Sequence, residues 1–208
     1  MPVATKQERL WLPNPPRGTM ICAGFDGSLN NDWTAIRCET RSGRSFTPRF
    51  GPDKKPTIWN PTEYNDEIPR DEVYAAVDEI FSRWHVARMY CDPEDWESEI
   101  GDWSVTHGDE HVFEWRTNRT AQMYSSIRRF ENDLRSRRIS NDGCPITETH
   151  MSNARKAAKT GQMYLLQKPN EHQKIDATMA SILAHEACAD VHVAGWPEPV
   201  DTRVFCLA

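Results

Sequence analysis

Three aspartates at the ends of expected elements carry the chemistry this sequence offers. Asp26 closes the apolar run Met20-Ile21-Cys22-Ala23-Gly24-Phe25, with Gly24 and Gly27 on either side of it. Asp92 closes Val86-Ala87-Arg88-Met89-Tyr90-Cys91, and Asp176 opens a helical run after the basic, polar stretch 168–174. Carboxylates at element ends, far apart in sequence, can converge on one point. Magnesium and manganese favour such hard oxygen ligands. A pair of these ions about 3.5–4 Å apart activates a water and stabilises the leaving oxygen of a phosphodiester. Each acid also has a plain reading. Asp26-Gly27 and Asp92-Pro93 are common turn dipeptides, and Asp176 suits the positive end of a helix.

The elements that must position these acids follow from periodicity. Residues 19–26 and 33–39 read as an antiparallel pair of strands. Residues 41–69 hold five prolines, and one extended piece, near Phe46 or Ile58-Trp59, is expected to add a third strand. Val73, Val77, Ile80 and Trp84 predict a helix over 70–84, with Asp71 and Glu72 in its first turn. A strand is expected over 86–91, an acidic helix over 94–104 with Trp96, Ile100 and Trp103 on one side, and a short strand over 111–115. Thr120 reads as the cap of a helix running to about Arg138, its buried stripe formed by Met123, Ile127, Phe130 and Leu134. Residues 147–159 look helical, 163–167 extended, and 175–188 helical. No pattern emerges from Asp190 onward.

A hairpin followed by strands alternating with helices indicates an α/β mixed sheet. The Asp26 and Asp92 strands become parallel neighbours joined by a helical crossover, so both acids fall at the carboxyl edge where open sheets place their sites. The expected organisation is an arm or leader over 1–18, one domain over 19–190 and a tail over 191–208.

Composition excludes several classes. No apolar run reaches the length of a membrane span, and residues 1–16 are polar and proline-rich, unlike a signal peptide. Six cysteines lie without a CxxC pair, which argues against a zinc ribbon or thioredoxin-like site. Cys22 and Cys91 read as small core residues of a protein in a reducing cytosol. Net charge is −6, yet residues 116–176 carry twelve Lys/Arg against six Asp/Glu. That basic middle fits a chain meeting phosphates on one face, or a solvated helix face. Arg128, Arg129, Arg155, Lys156 and Lys174 are the candidate nucleic-acid contacts. His150 and Asn153, one helical turn apart, read as helix packing or capping, or as orienting a ligand. Glu94 or Asp95 is a candidate outer-shell ligand.

The ordered set Gly24-Phe25-Asp26-Gly27 with Asp32-Trp33-Thr34-Ala35, Met89-Tyr90-Cys91-Asp92-Pro93 with Trp96, His150-Met151-Ser152-Asn153-Ala154-Arg155, Gln167-Lys168, and Lys174-Ile175-Asp176-Ala177 with Ala180 resembles the nuclease domain of tailed-phage large terminase subunits. The likeness spans residues 19–187. It implies a ribonuclease-H-like fold and metal-dependent cleavage of double-stranded DNA during genome packaging in the host cytoplasm. By the same resemblance Asp26, Asp92 and Asp176 are catalytic and hold two Mg2+ or Mn2+ ions; Asp26, ending what reads as a central strand, is the candidate to bridge them. The implied partners are a packaging ATPase, a portal and a small terminase subunit, with no membrane. The chain has no GxxxxGK[ST] phosphate loop, so the ATPase is expected on another domain or another chain. A junction resolvase or recombinase on the same fold, and a docking module with a lapsed site, are the competing readings.

Overall fold

In the first strand the side chains divide strictly by parity. Ile21, Ala23 and Phe25 enter one apolar cluster, while Cys22 enters another on the opposite face. That period of two is what a strand covered on both faces requires. The computed structural model describes residues 10–29 and 32–198. The strand is β1 (Met20–Asp26), and it pairs antiparallel with β2 (Thr34–Thr40), whose residues are all buried.

Both extended pieces in the proline-rich stretch pair with β2: β3 (Arg44–Phe46) and, beyond the small ribbon of β4 (Arg49–Phe50) and β5 (Lys55–Pro56), β6 (Ile58–Trp59). Helix α1 (Arg70–Arg83) crosses over to β7 (His85–Cys91), which lies parallel to β1. Helix α2 (Glu97–His107) leads to β8 (Val112–Glu114), parallel to β7. Helix α3 (Thr120–Arg135) follows, then the two-residue β9 (Ser140–Asn141) beside β3. The chain closes with α4 (Pro145–Asn153), a hairpin of β10 (Arg155–Lys159) and β11 (Met163–Gln167), and α5 (Asp176–Ala194). The strand order is β8-β7-β1-β2-β3-β9. This is the expected α/β mixed sheet with an antiparallel opening and flanking helices.

Helices α1 and α2 cover one face, packing Val73, Val77, Ile80, Ile100 and Trp103 against Ile21, Ala23 and Phe25. Helices α3 and α5 cover the other, with Met123, Ile127, Phe130, Ile182 and Leu183 around Cys22 and Tyr90. Each buried Ile or Leu contributes roughly 1.5–3 kcal/mol.

Three local expectations are corrected. Residues 155–159 have good helix formers but form a strand, because cross-strand pairing with 163–167 overrides propensity; the turn is closed by Gly161 at φ 76° and Gln162 at φ 60°. Thr120 is the first helical residue rather than the cap, and α3 ends at Arg135 because Arg137 takes φ 59°. The last helix continues past Asp190 to Ala194, since Val191 is still buried; Gly195 at φ 98° ends it. Of the expected arm, residues 10–18 lie against the body. Trp11 donates its indole N–H to Asp142 at 3.0 Å, and Trp84 donates to the carbonyls of Pro15 and Pro16 at 3.3 and 3.1 Å. Residues 1–9 and 199–208 lie outside the described residues. Among the described residues no helix is long and apolar enough to cross a membrane.

Candidate active site

Asp26 is even-numbered like Cys22 and Gly24, so the pleat turns it toward α5. Asp92 follows the last residue of β7, and its backbone N–H donates to the carbonyl of Phe25 at 3.0 Å. The parallel register Phe25↔Cys91 therefore sets the two acids side by side at the sheet's carboxyl edge. Asp176 is the first residue of α5. Gly24 brings that helix close: a Cβ there would stand 2.2 Å from the carbonyl oxygen of Ala180 and 2.4 Å from the amide nitrogen of Ala184. Only glycine lets α5 lie this near to β1. Gly27 has a similar duty, since a Cβ on it would meet the Phe25 ring at 2.5 Å and the Trp96 indole nitrogen at 2.6 Å. Beneath it, Phe25 meets Trp96 and Trp103 edge to face, with centroids 5.1 and 5.2 Å apart. This aromatic floor holds the strand end rigid.

The electrostatics show convergence. Burial, then the charges of Asp176, Asp92, Asp32 and Glu94, push the Asp26 carboxyl well above its usual range. Burial and the charge of Asp32 raise Asp176 to about 7. Asp92 is also raised by burial, while its hydrogen bond from the Thr117 hydroxyl opposes the rise. Carboxylates sharing a desolvated site disfavour one another's charged form. The buried Oδ2 of Asp176 has no hydrogen-bond partner. Among the described residues, no three His, Cys, Asp or Glu side chains already meet at metal-binding distances.

The start of α5 is held from α4. His150 Nδ1 accepts the N–H of Ala177 at 3.1 Å, so this nitrogen carries no proton. Burial lowers His150 to about 4, and the neutral ring therefore makes no charge pair with Asp176, 3.9 Å away. Asn153 donates to the carbonyl of Lys174 at 2.9 Å and accepts from Gln173 at 3.2 Å. Capping and packing account for both residues.

Sequence reasoning missed Asp32, Lys168 and Thr117 as members of this site. Asp32 and Lys168 stood inside the quoted motifs, and Thr117 carried no signal. Of the two candidate outer-shell ligands, Glu94 and Asp95, the charge of Glu94 acts on Asp26.

The basic candidates differ in their partners. Lys174 sits at the acids, its ammonium 2.8 Å from Asp32. Arg129 pairs with Glu186 at 3.2 Å, ten residues along α5 from Asp176. Lys156 pairs with Glu131 at 2.8 Å, and Arg155 donates to the carbonyls of Ser152 and Ala154 at 2.6 and 3.0 Å. Arg128 is exposed and stands over the Tyr124 ring at 5.7 Å.

No protein-family profile matches the chain. It is 29% identical over 187 residues to the Gene 13 protein of Mycobacterium phage D29, covering 84% of this chain and 30% of that protein. The Gene 13 protein of Mycobacterium phage L5 matches at 27% with the same coverage. The chain thus spans about 30% of the length of these curated relatives. The large terminase nuclease from thermophilic phage G20c superposes with a TM-score of 0.63 at 12% identity, over 85% of this chain and 92% of that one. The HK97 bacteriophage large terminase gives 0.61 at 16% identity, over 86% of this chain and 40% of that one. The G20c nuclease is also known with bound magnesium and with bound cobalt. At such identities the likeness speaks for architecture, and the chain carries the ribonuclease-H-like fold of the phage large-terminase nuclease domains.

Proposed function

We propose that the chain is a metal-dependent endonuclease that cleaves double-stranded viral DNA during genome packaging, the nuclease part of a large terminase. The observation that carries this reading is the grouping of three acids, Asp92 beside Asp26 at the sheet's carboxyl edge and Asp176 at the start of α5, with burial and the charges of Asp176 and Asp92 raising Asp26 and an unpartnered buried oxygen on Asp176.

Such a cluster suits a divalent cation. Its donors are hard oxygens, burial outweighs the nearby cations in raising Asp176 and Asp92, and one buried oxygen lacks a partner. Asp26, Asp92 and Asp176 are the residues that would hold two Mg2+ or Mn2+ ions, which would supply water activation and stabilisation of the leaving oxygen. The protein's own part is positional. Thr117 fixes the Asp92 carboxylate, His150 and Asn153 fix the start of α5, and Gly24 sets its distance from β1. The phage origin of the D29 and L5 relatives supports the viral part of the reading, and the fold of the G20c nuclease with its bound magnesium and cobalt supports the nuclease part.

The partners follow from it. Duplex DNA would meet Lys174 at the site and Arg128, Arg129, Arg155 and Lys156 on α3 and the hairpin. The packaging ATPase, portal and small terminase subunit would act through the same assembly in the host cytoplasm. Residues 19–190 would be the nuclease domain, flanked by an arm and a tail.

Supercoiled plasmid incubated with Mn2+, Mg2+ or chelator tests the activity. Nicking and linearisation with either metal and none with chelator are expected. Intact plasmid under both metals at large protein excess would overturn the enzyme reading.

A further inference from the structure

One acid of the cluster is already neutralised. Asp32 precedes β2, and two different lysines face its two oxygens: Lys168 donates to Oδ2, and the Lys174 ammonium lies 2.8 Å from Oδ1 as an ion pair without hydrogen-bond geometry. The lysines come from separate segments, just after β11 and just before α5. The side chains of Asp32 and Lys168 keep about a third of their exposure, at 29% and 33%. Asp32 belongs to the site, for its charge acts on both Asp26 and Asp176.

Two ammonium groups, each on its own oxygen of one anion, form the arrangement that receives the two non-bridging oxygens of a phosphodiester. A cleft bearing Asp26, Asp32, Asp92, Glu94 and Asp176 would otherwise repel a polyanion. We propose that Asp32 is a built-in stand-in for a backbone phosphate: it occupies Lys168 and Lys174 in the free protein, and an incoming phosphodiester displaces it. Asp32 is thus a positioning and autoinhibitory residue. It keeps the lysines oriented toward the acids and makes DNA compete for them. The inference rests on the nuclease reading for where the phosphate goes, but not on cleavage itself.

Binding in chelator separates the two. A fluorescein-labelled duplex is titrated by anisotropy at several salt concentrations with the wild type, Asp32→Asn, Lys168→Ala and the double variant. Asp32→Asn should bind about three- to tenfold tighter at low salt. Its log–log salt slope should steepen by about one to two, because each phosphate contact releases about one counterion. Lys168→Ala should cost little in the wild type and clearly more beside Asp32→Asn, where Lys168 is released to the phosphate. Equal or weaker binding by Asp32→Asn at an unchanged melting temperature overturns the inference, and so does additive behaviour of the two changes. Loss of the manganese-induced melting shift in Asp32→Asn with unaltered DNA binding also overturns it, by making Asp32 a metal ligand. Where Asp32→Asn melts lower, Asp32→Ala and the Lys168→Ala cycle carry the same test. Tighter binding by Asp32→Asn in a protein that cuts no plasmid would leave this inference standing and remove the nuclease reading. Unchanged binding in a protein that cuts would do the reverse.

Discussion

Two buried polar clusters hang on the same pair of strands, and they are built on opposite terms. Around Arg37, fully buried on β2, every charge is answered. Its guanidinium reaches Asp142 at 3.3 Å, Ser45 at 2.9 Å, Asn141 at 3.1 Å and Ser181 at 3.0 Å, and it also meets the Thr47 hydroxyl. At the end of β1, by contrast, Asp26, Asp92 and Asp176 face one another, and neither Asp26 nor Asp176 has a cation as its main influence. A saturated network specifies how β2, β3, β9 and α5 assemble, and it leaves nothing for a ligand. An unsaturated one costs stability and is retained where something else completes it.

The largest effect that divides the two is catalytic. Asp26→Asn keeps the shape and removes the charge that would sit between the ions. Plasmid cleavage should fall by about a thousandfold or more, on the scale of losing a principal electrostatic group. The melting temperature without metal should hold or rise, because a repelling charge has gone. Cleavage within tenfold of the wild type would break the assignment.

Arg37→Ala should do the reverse. It strands Asp142, itself buried, without its cation, and breaking a buried pair costs about 3–5 kcal/mol. Calorimetry should show a melting point lower by roughly 6–20 °C for a chain of this size. At low temperature the folded fraction should still cut DNA. A melting point within 2–3 °C of the wild type would mean that the network is ornamental.

Next is the pH dependence of the empty site. A carboxyl with a folded-state pKa above its unfolded value binds more protons folded than unfolded between the two, so stability falls as pH rises through that window. For Asp176 the window runs from 3.8 to about 7. At 1.36 kcal/mol per unit this contributes on the order of 4 kcal/mol at most, shared with Asp26. His150 runs the other way, since burial lowers it to about 4 and it loses stability as pH falls from 6.5. Asp176→Asn removes only the first slope. Relative to the wild type, its metal-free melting temperature should gain from pH 4.5 to about 7 and level off above that. The manganese-induced shift of the wild type should grow over the same range as the carboxylate sheds its proton. Parallel melting curves for the two proteins would deny that Asp176 is strained.

The acids and their strands were legible because their cues are local: an apolar run that stops at an acid, and a helix pattern that starts at one. The antiparallel start, the β1–β7 neighbourhood and the face of each helix follow from periodicity alone. What was not legible depends on partners distant in sequence. Residues 155–159 became a strand only because 163–167 lie beside them. The ion pairs of Arg129 with Glu186 and of Lys156 with Glu131 likewise join residues far apart in sequence. Asp32 and Thr117 joined the site through contacts 136 and 25 residues away. Glycine lies between these cases. A Gly two residues before an acid announces a close approach but does not say what approaches.

That approach gives the smallest and most geometric contrast. A Cβ on Gly24 would meet backbone atoms of α5 at 2.2 and 2.4 Å, and the Cβ of Leu183 at 2.8 Å. Backbone cannot rotate away, so Gly24→Ala must push α5 outward and carry Asp176 away from Asp26. Overpacking of this kind costs about 1–3 kcal/mol. Gly101 in α2 is the control, because nothing lies within 4 Å of its added Cβ. There Ala should stabilise by about 0.5–1 kcal/mol through helix propensity. The two substitutions add the same methyl group to the same sheet-and-helix body. Only Gly24→Ala should lose cleavage, and by more than its melting shift explains, since a displacement of about 1 Å can cost a hundredfold in rate. Its manganese-induced melting shift should shrink in step. Full activity in Gly24→Ala would mean that the spacing of β1 and α5 does not set the site.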